Sequence, residues 1–481
     1  MAPFVRVSRS AFPTVRTTIC SNHAGARLQT RATRRRRMPT RLFLHGRRTD
    51  AVAERLPLML RAYRRMAAFA TPLLPLITSY RARRGKEQIA RVRERRGEAS
   101  AERPDAPLVW IHAASVGEML SVIPVIEHLC ANDFAVLMTS GTVTSAGVAE
   151  SRMPPGTVHQ FAPYDAPRFV ARFLDHWRPD LALFAESDLW PNMITSASAR
   201  GIPLILINGR LSERSFRRWK RMPHAIAVLL SHFDLCLAQT VRDAERYGEL
   251  GAPRVTTTGN LKLDVPAPPV DDHDLDEMLA ATQQRPVIAA ASTHPGEEKI
   301  IFDVHRKLRQ RFPGLLTIVA PRHPERGAGV MDIARAARLE AAARSDGHLP
   351  GPSTEIYVAD TMGELGLLYR VAPVVFIGGS LVRHGGQNPI EAAKLGAAIV
   401  HGPHVWNFGE LYGALDAADG ATEVTDAAQL AETFAAWLSN AGQRDAAAEA
   451  ALQTVEGLSG ARTRTLAALE PYLLQLRLHY R

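Results

Sequence analysis

The sequence predicts an α/β protein built from two parallel, doubly wound sheets. Three observations carry that expectation. From Leu108 onward, short apolar runs rich in β-forming residues alternate with amphipathic helical stretches, the pattern of parallel strands joined by crossover helices. The alternation breaks once, at residues 264–276 (DVPAPPVDDHDLD), a proline- and acid-rich stretch without a period that reads as an interdomain linker, and then resumes. At 481 residues the chain is long for one domain, and a hydrophobic content of 46% suits a large core.

Residues 1–58 have no hydrophobic period. They hold 13 arginines, including Arg34 to Arg37, against Asp50 and Glu54 alone, which accounts for the whole formal charge of +11. The segment reads as a basic arm, a targeting-like stretch or translated upstream sequence, with Met38, Met59 and Met66 as alternative starts. No apolar core follows the early charges, so a secretory signal is not expected. The rest of the chain is charge-balanced, which argues against nucleic acid as a partner of the body. Cys20, Cys130 and Cys236 lie far apart, with neither disulfide-framework nor metal-ligand spacing.

Residues 59–103 form the next unit. The stretch 56–80, LPLMLRAYRRMAAFATPLLPLITSY, is the only membrane-like segment. Its uncharged part, residues 66–80, carries two prolines and falls short of the roughly 20 residues needed to cross a bilayer. Arg61, Arg64 and Arg65 precede it, and Arg81, Arg83, Arg84 and Lys86 follow. An apolar plug between basic flanks suits a monotopic anchor on an anionic leaflet, against the plainer reading of a helix packed on the domain.

Residues 104–264 contain the first series of runs: LVWIHAAS, FAVLMTS, LALFAE, PLILING and DLCLAQ, with helical stretches at 119–129, 166–177 and 217–230 between them. Residues 265–481 contain the second: PVIAAAS, LLTIVAP, EIYVAD, VVFIGGS and AAIVHGP, then an alanine-rich helical end at 426–474.

The candidate site residues sit where runs end. WIHAASVGE puts Glu118 in the first turn of a helix, either as a dipole-stabilised carboxylate or as a general base at the end of the first strand. Burial raises such a pKa and the dipole lowers it, so the balance stays open at this stage. ESDLWPN places Glu186 at a strand end, with Asp188 suited to capping the next helix. NGRLSER offers Arg210 to a carboxylate or phosphate, and GNLKLD puts Lys262 just before the linker. In the second series, PRHPER offers Arg322 and His323 to an anion, and TMGEL brings Gly363, Glu364 and Leu365 to a helix start. The richest stretch is 376–410, in which glycine pairs flank Asn388-Pro389-Ile390-Glu391. Asn suits the N-cap, Pro the first helical position and Glu391 a capping-box carboxylate, yet capping alone does not require the paired glycines or His384 and His404 nearby. A polar ligand beyond the strand's carboxyl end explains them better. Neither G-x-G-x-x-G nor a P-loop is present, and no metal or cofactor is expected.

Taken together, HAASVGE, ESDLWPN, NGRLSERS, GNLKLD, PRHPER, GELG and GGSLVRHGGQNPIEAA through GPHVWNFGE resemble the 3-deoxy-D-manno-octulosonic acid (Kdo) transferases of lipopolysaccharide assembly. The likeness is collinear and runs from about residue 59 to the C-terminus. It implies a GT-B fold, two Rossmann-like domains facing a cleft, with an N-terminal membrane-associated helix. It also implies metal-independent, inverting transfer of Kdo from CMP-Kdo to the lipid A precursor (lipid IVA) at the cytoplasmic face of the inner membrane, whose lipids the anchor would meet. By the same resemblance Glu118 is the general base, and Glu186 and Lys262 position groups or stabilise charge. Arg322, His323, Gly363, Glu364, Leu365, Asn388, Pro389, Ile390 and Glu391 fall in the CMP-contacting stretches. Gln387 stands where relatives often carry His, which implies slight local repacking without loss of activity. A soluble sugar-nucleotide epimerase of the same architecture is the nearest rival, and it leaves the apolar segment before Arg81 without a role.

Overall fold

The structure, a computed structural model, describes residues 56–85, 87–282 and 285–480. The basic extension therefore lies outside the described residues, save its last three positions.

The first sheet has seven parallel strands: β1 (Leu108–His112), β2 (Ala135–Ser140), β3 (Thr157–Phe161), β4 (Leu181–Ala185), β5 (Leu204–Gly209), β6 (Leu235–Ala238) and β7 (Val255–Thr257). Their order is β3-β2-β1-β4-β5-β6-β7, so the winding reverses between β1 and β4. The second sheet repeats the plan with β8 (Val287–Thr293), β9 (Leu316–Pro321), β10 (Ala341–Ala343), β11 (Ile356–Val358), β12 (Val374–Ile377), β13 (Ala398–His401) and β14 (Ala421–Glu423). Its order is β10-β11-β9-β8-β12-β13-β14, with the reversal between β8 and β12. In open α/β sheets ligands bind outside the carboxyl ends of the strands at such reversals. The central strands β1, β2, β4 and β5 are buried at every residue, as their unbroken apolar runs require when helices cover both faces.

Two differences from the sequence reading concern the crossing between the halves. A helix, Asp272–Thr282, begins inside the expected linker and puts Asp272 and Asp274 in its first turn, where the dipole favours acids. The C-terminal helix Ala461–Tyr480 returns to the first half, burying Ala461, Leu469 and Leu473 in the core beneath β1 and β4. The chain thus crosses twice, and the crossings are tied together. Asp264 accepts from the N–H groups of Gly460 (2.7 Å) and Arg462 (2.5 Å), and Arg464 Nε donates to the Thr258 carbonyl at 2.7 Å. Gly259, at φ +93°, lies so close to Arg464 and Ala461 that a side chain there would collide.

At the N-terminal end, Leu58–Ala70 is helical, Pro72 and Pro75 open a 3₁₀ turn and a second helix, and Leu74–Arg83 continues. Among the described residues no helix is long and apolar enough to cross a membrane. Leu60 is buried and Tyr63 donates to Asp165 at 2.9 Å, so one face packs on the first half. The other face leaves Met66, Phe69, Leu73 and Leu76 exposed. Part of the basic stretch that follows is turned inward. Arg95 is 4% exposed, pairs with Glu87 and donates to the carbonyls of Gly141 and Ala162, while Glu94 accepts from Arg91 and from the Phe161 N–H. Those arginines hold the β2–β3 edge and are not free for lipid.

Candidate active site

The two carboxylates singled out in the first half lie at its winding reversal, Glu118 after β1 and Glu186 after β4. Ser115 caps the helix Val116–Cys130, its Oγ accepting from the Glu118 N–H, and Glu118 reaches back to accept from the Ala114 N–H (2.8 Å) and Ser115 Oγ (2.9 Å). Burial pushes the Glu118 carboxyl up to about 7, and the negative charges of Glu186 and Asp188 add to the rise against those two hydrogen bonds. Desolvation therefore wins the balance that sequence left open. Asp188 is also raised, chiefly by burial. His112 Nε2, buried without a hydrogen-bond partner among the described residues, lies 4.0 Å from Asp188 Oδ2, and burial lowers the ring to about 4, so it is neutral near pH 7.

Lys262 arrives from the crossing segment. Its Nζ lies 2.5 Å from Glu186 Oε1. The placement depends on Asn208 at the end of β5, whose Oδ1 accepts from the Leu261 N–H at 2.9 Å, and on Asn260, which accepts from the Lys262 N–H. Arg210 has no carboxylate partner among the described residues. Its neighbour Leu211 is pinned by Asp243 on one side and Arg246 on the other, and the Arg210 charge acts on Asp243 from the same loop.

In the second half, Arg322, Gly363, Glu364 and Leu365 line one cavity of about 110 Å³ together with Ser292 and Met362. Arg322 is exposed and without a carboxylate partner among the described residues. Glu364 is not free: it pairs with Arg344 (3.0 Å) and accepts from Thr361 Oγ1. His323 stands beside this cavity, its ring 6.4 Å from that of His294, and His294 stacks on His384 with ring centres 3.7 Å apart. Burial, then the adjoining His384, His323, Arg322 and Arg326, lower His294 to about 4. Gln387 donates to its Nε2 at 3.0 Å, so the departure at that position is absorbed by a side-chain hydrogen bond.

The segment Asn388-Pro389-Ile390-Glu391 differs from the sequence reading in detail. The helix begins one residue later than expected, at Ile390, and runs five residues to Lys394. Asn388 Oδ1 does accept from the Ile390 N–H, at 3.1 Å. The capping box does not form: the Glu391 carboxylate has no hydrogen-bond partner among the described residues, and burial raises its pKa. Ile390 is 2% exposed, so its side chain belongs to the core. Lys394, one turn on, donates to the carbonyls of Leu263 and Val265 at 2.6 Å each. The helix carrying Glu391 is thereby fastened to the residues next to Lys262, and the two half-sites border one another at the crossing.

Sequence reasoning missed three residues here. Asn208 was quoted only as part of a motif. His294 and Glu297 follow β8, where HPGEE offered a signal, a carboxylate three residues after the first polar residue beyond the strand. Glu297 is fully buried and accepts from the N–H groups of His294, Gly379, Ser380 and Leu381 at 2.7–3.1 Å, so one carboxylate holds the glycine turn that follows β12. Gly378 in that turn approaches the Ser292 carbonyl too closely for any side chain. Glu186 (φ 57°), Asn208 (51°) and Ser292 (58°) are left-handed without being glycine, and all three lie at strand ends within the site, where backbone strain tends to collect. Among the described residues no three His, Cys, Asp or Glu side chains are grouped as metal ligands.

Two doubly wound parallel domains with a site at the carboxyl ends of their strands define a GT-B-like architecture. A solved chain from Rickettsia africae described as a glycosyltransferase shares it, with a TM-score of 0.54 over 77% of this chain and 98% of that one at 12% identity. Residues 90–265 match the family described as "3-Deoxy-D-manno-octulosonic-acid transferase (kdotransferase)". A probable 3-deoxy-D-manno-octulosonic acid transferase from Arabidopsis thaliana is 37% identical, over 79% of this chain and 88% of its own. The 3-deoxy-D-manno-octulosonic acid transferase of Bordetella pertussis is 36% identical, over 84% of this chain and 96% of its own. The chain belongs to the 3-deoxy-D-manno-octulosonic acid transferase family and is, with it, a glycosyltransferase.

Proposed function

We propose that this protein transfers Kdo from CMP-Kdo to the lipid A precursor lipid IVA, inverting the anomeric centre, with Glu118 as general base. The observation that carries the reading is a polarity between the half-sites. Glu118, Glu186 and Asp188 gather at the reversal of the first sheet, and Arg322, Arg326, His323 and His384 gather around the second. A carboxylate held near neutrality suits removal of a proton from an acceptor hydroxyl as it attacks. The donor brings a phosphodiester and a sugar carboxylate, which the unpaired Arg322 and Arg210 can bind as charge-assisted hydrogen bonds. Lys262, held by Glu186, stabilises negative charge at the reacting centre. Glu391, desolvated and without a protein partner, accepts from ribose hydroxyls. As CMP leaves, its phosphate takes up negative charge beside Arg322 and the histidines.

The exposed face of Met66, Phe69, Leu73 and Leu76, flanked by Arg61, Arg64, Arg65, Arg81, Arg83 and Arg84, supports docking on the anionic cytoplasmic leaflet of the inner membrane. The test is acceptor-dependent release of CMP by detergent-solubilised protein, with CMP-Kdo generated in situ and lipid IVA as acceptor. One or more Kdo masses added to the lipid support the reading. CMP release without acceptor, or none from folded protein, overturns it.

A further inference from the structure

Beside the carboxylate cluster lies an apolar pocket to which nothing above gives a role. Its volume is about 260 Å³, smaller than a typical pocket for a whole small molecule at roughly 300–1,000 Å³. Four elements build it: the N-terminal helix through Leu60 and Tyr63, the loop after β4 through Trp190, and the two helices Glu213–Lys220 and Pro223–Leu230 through Trp219 and Ala225, with Met222 in the turn between. The walls are held in place. Tyr63 donates to Asp165, and Asp165 in turn accepts from the N–H groups of Asn192 (3.0 Å) and Met193 (2.8 Å) at the start of the helix that follows Trp190.

Two of these helices also carry charge. Arg61, Arg64 and Arg65 stand on the helix that carries Leu60 and Tyr63, and Arg214 and Arg218 on the helix that carries Trp219, all exposed and without a carboxylate partner among the described residues. On the first of these helices Met59, Met66 and Phe69 are exposed at 46%, 63% and 84%. On the inner side Trp190 hydrogen-bonds Asp188, whose charge acts on Glu118. An apolar slot beside an apolar ridge, built partly by two helices that carry exposed, unpaired arginines and one residue removed from the carboxylates, fits a hydrocarbon chain attached to a phosphorylated head. It does not fit a free anion or a peptide, because its lining offers almost no hydrogen-bonding groups.

We propose that this pocket takes one acyl chain of the acceptor glycolipid and so sets where the acceptor hydroxyl meets Glu118. The proposal rests on the Kdo-transfer reading above and adds a specificity site to it. The exposed arginines of those two helices pair with the phosphates, and the chain in the slot fixes the sugar's register. Only the length inside the slot is read, so acyl chains too short to reach it lose both affinity and register.

The test compares kcat/KM for lipid IVA and for its butyryl short-chain analogue. Two variants are used: Ala225→Phe, which puts a ring into the slot, and Met222→Gln, which puts an amide there and does not crowd the core. Both are expected to lose about tenfold on lipid IVA, mainly through KM, and to match the wild type on the short-chain analogue. Equal losses on both acceptors, or no loss on either, overturn the proposal. If the wild type transfers Kdo to neither acceptor, the Kdo reading is what has failed. The pocket is then decided by quenching of Trp190 and Trp219 fluorescence on anionic vesicles with brominated acyl chains. Quenching weakened in Ala225→Phe at equal vesicle binding supports the pocket, and unchanged quenching overturns it.

Discussion

Lys262 Nζ lies 2.5 Å from Glu186 Oε1, although the two residues are 76 positions apart in the chain. Glu186 ends the fourth strand of the first sheet, and Lys262 stands on the segment that leaves that sheet for the second. One ion pair thus couples the catalytic face of the first half to the crossing, and Lys394 couples the second half to the residues beside it. The Glu186 charge that Lys262 pairs with also acts on Glu118.

The raised pKa of Glu118 gives a pH profile with a definite sign. A base must be ionised to act, so kcat/KM for acceptor is expected to rise with pH and to half-saturate near 7. The limb belongs to the Glu118, Glu186 and Asp188 cluster as a unit, since their charges interact. A profile flat from pH 5.5 to 8.5, or falling across it, contradicts the assignment. Stability should run the other way. The folded state holds the Glu118 proton more tightly than the unfolded chain, so ionisation between the ordinary 4.5 and about 7 removes stability as pH rises. Glu118→Gln should therefore melt higher than wild type at pH 8, with the gain fading by pH 5.

Glu186→Gln removes the largest neighbouring negative charge acting on Glu118 and leaves Lys262 unneutralised. Both effects favour the ionised base, so the rising limb should move to lower pH even as the maximal rate falls. The pH–rate profile of the variant reads this directly, and an upward move of the limb counts against the proposed coupling.

Asn208 holds Leu261 and hence Lys262, and it does so from a left-handed backbone. Asn208→Gly keeps the backbone but loses the tether, whereas Asn208→Ala loses both, with an added conformational cost of about 1 kcal/mol. Transfer rate should fall similarly in the two variants, and both should melt lower for the lost buried hydrogen bond, the alanine variant by more. If Asn208→Gly transfers at the wild-type rate, the tether has no part in placing Lys262.

Glu297→Gln replaces a carboxylate that receives four N–H groups by an amide with one acceptor oxygen and a misplaced donor. A destabilisation of about 3 kcal/mol is expected, together with weaker donor binding, because the glycine turn after β12 loosens. Calorimetry and CMP titration check both. Normal CMP affinity in a destabilised variant would confine Glu297 to the fold.

The sequence made both sheets legible, but not completely. All ten interior strands announced themselves as apolar runs. The four that did not, β3, β7, β10 and β14, are the outermost strands of the two sheets. Edge strands are short and need not be apolar on both faces. Thr157–Phe161 carries His and Gln, and Ala341–Ala343 is three alanines, which carry no strand signal. The return of the last helix to the first half was also invisible, since its partners lie about 200 residues or more back in the chain. At the site, motif positions showed where loops end but not what their side chains do. Glu391 looked like a capping residue and caps nothing, while Glu297, unremarked in sequence, holds the glycine turn that capping left unexplained. Such roles depend on which loops the sheet order brings together, and that order is not written in any local pattern.

The most direct test of the central claim is acceptor-dependent Kdo transfer by Glu118→Gln, measured at saturating donor with CMP-Kdo binding followed on the same preparation. The account predicts turnover reduced at least a thousandfold, of the order expected for loss of a general base, with donor binding preserved. A variant that binds CMP-Kdo and still transfers at near the wild-type rate would show that Glu118 is not the base.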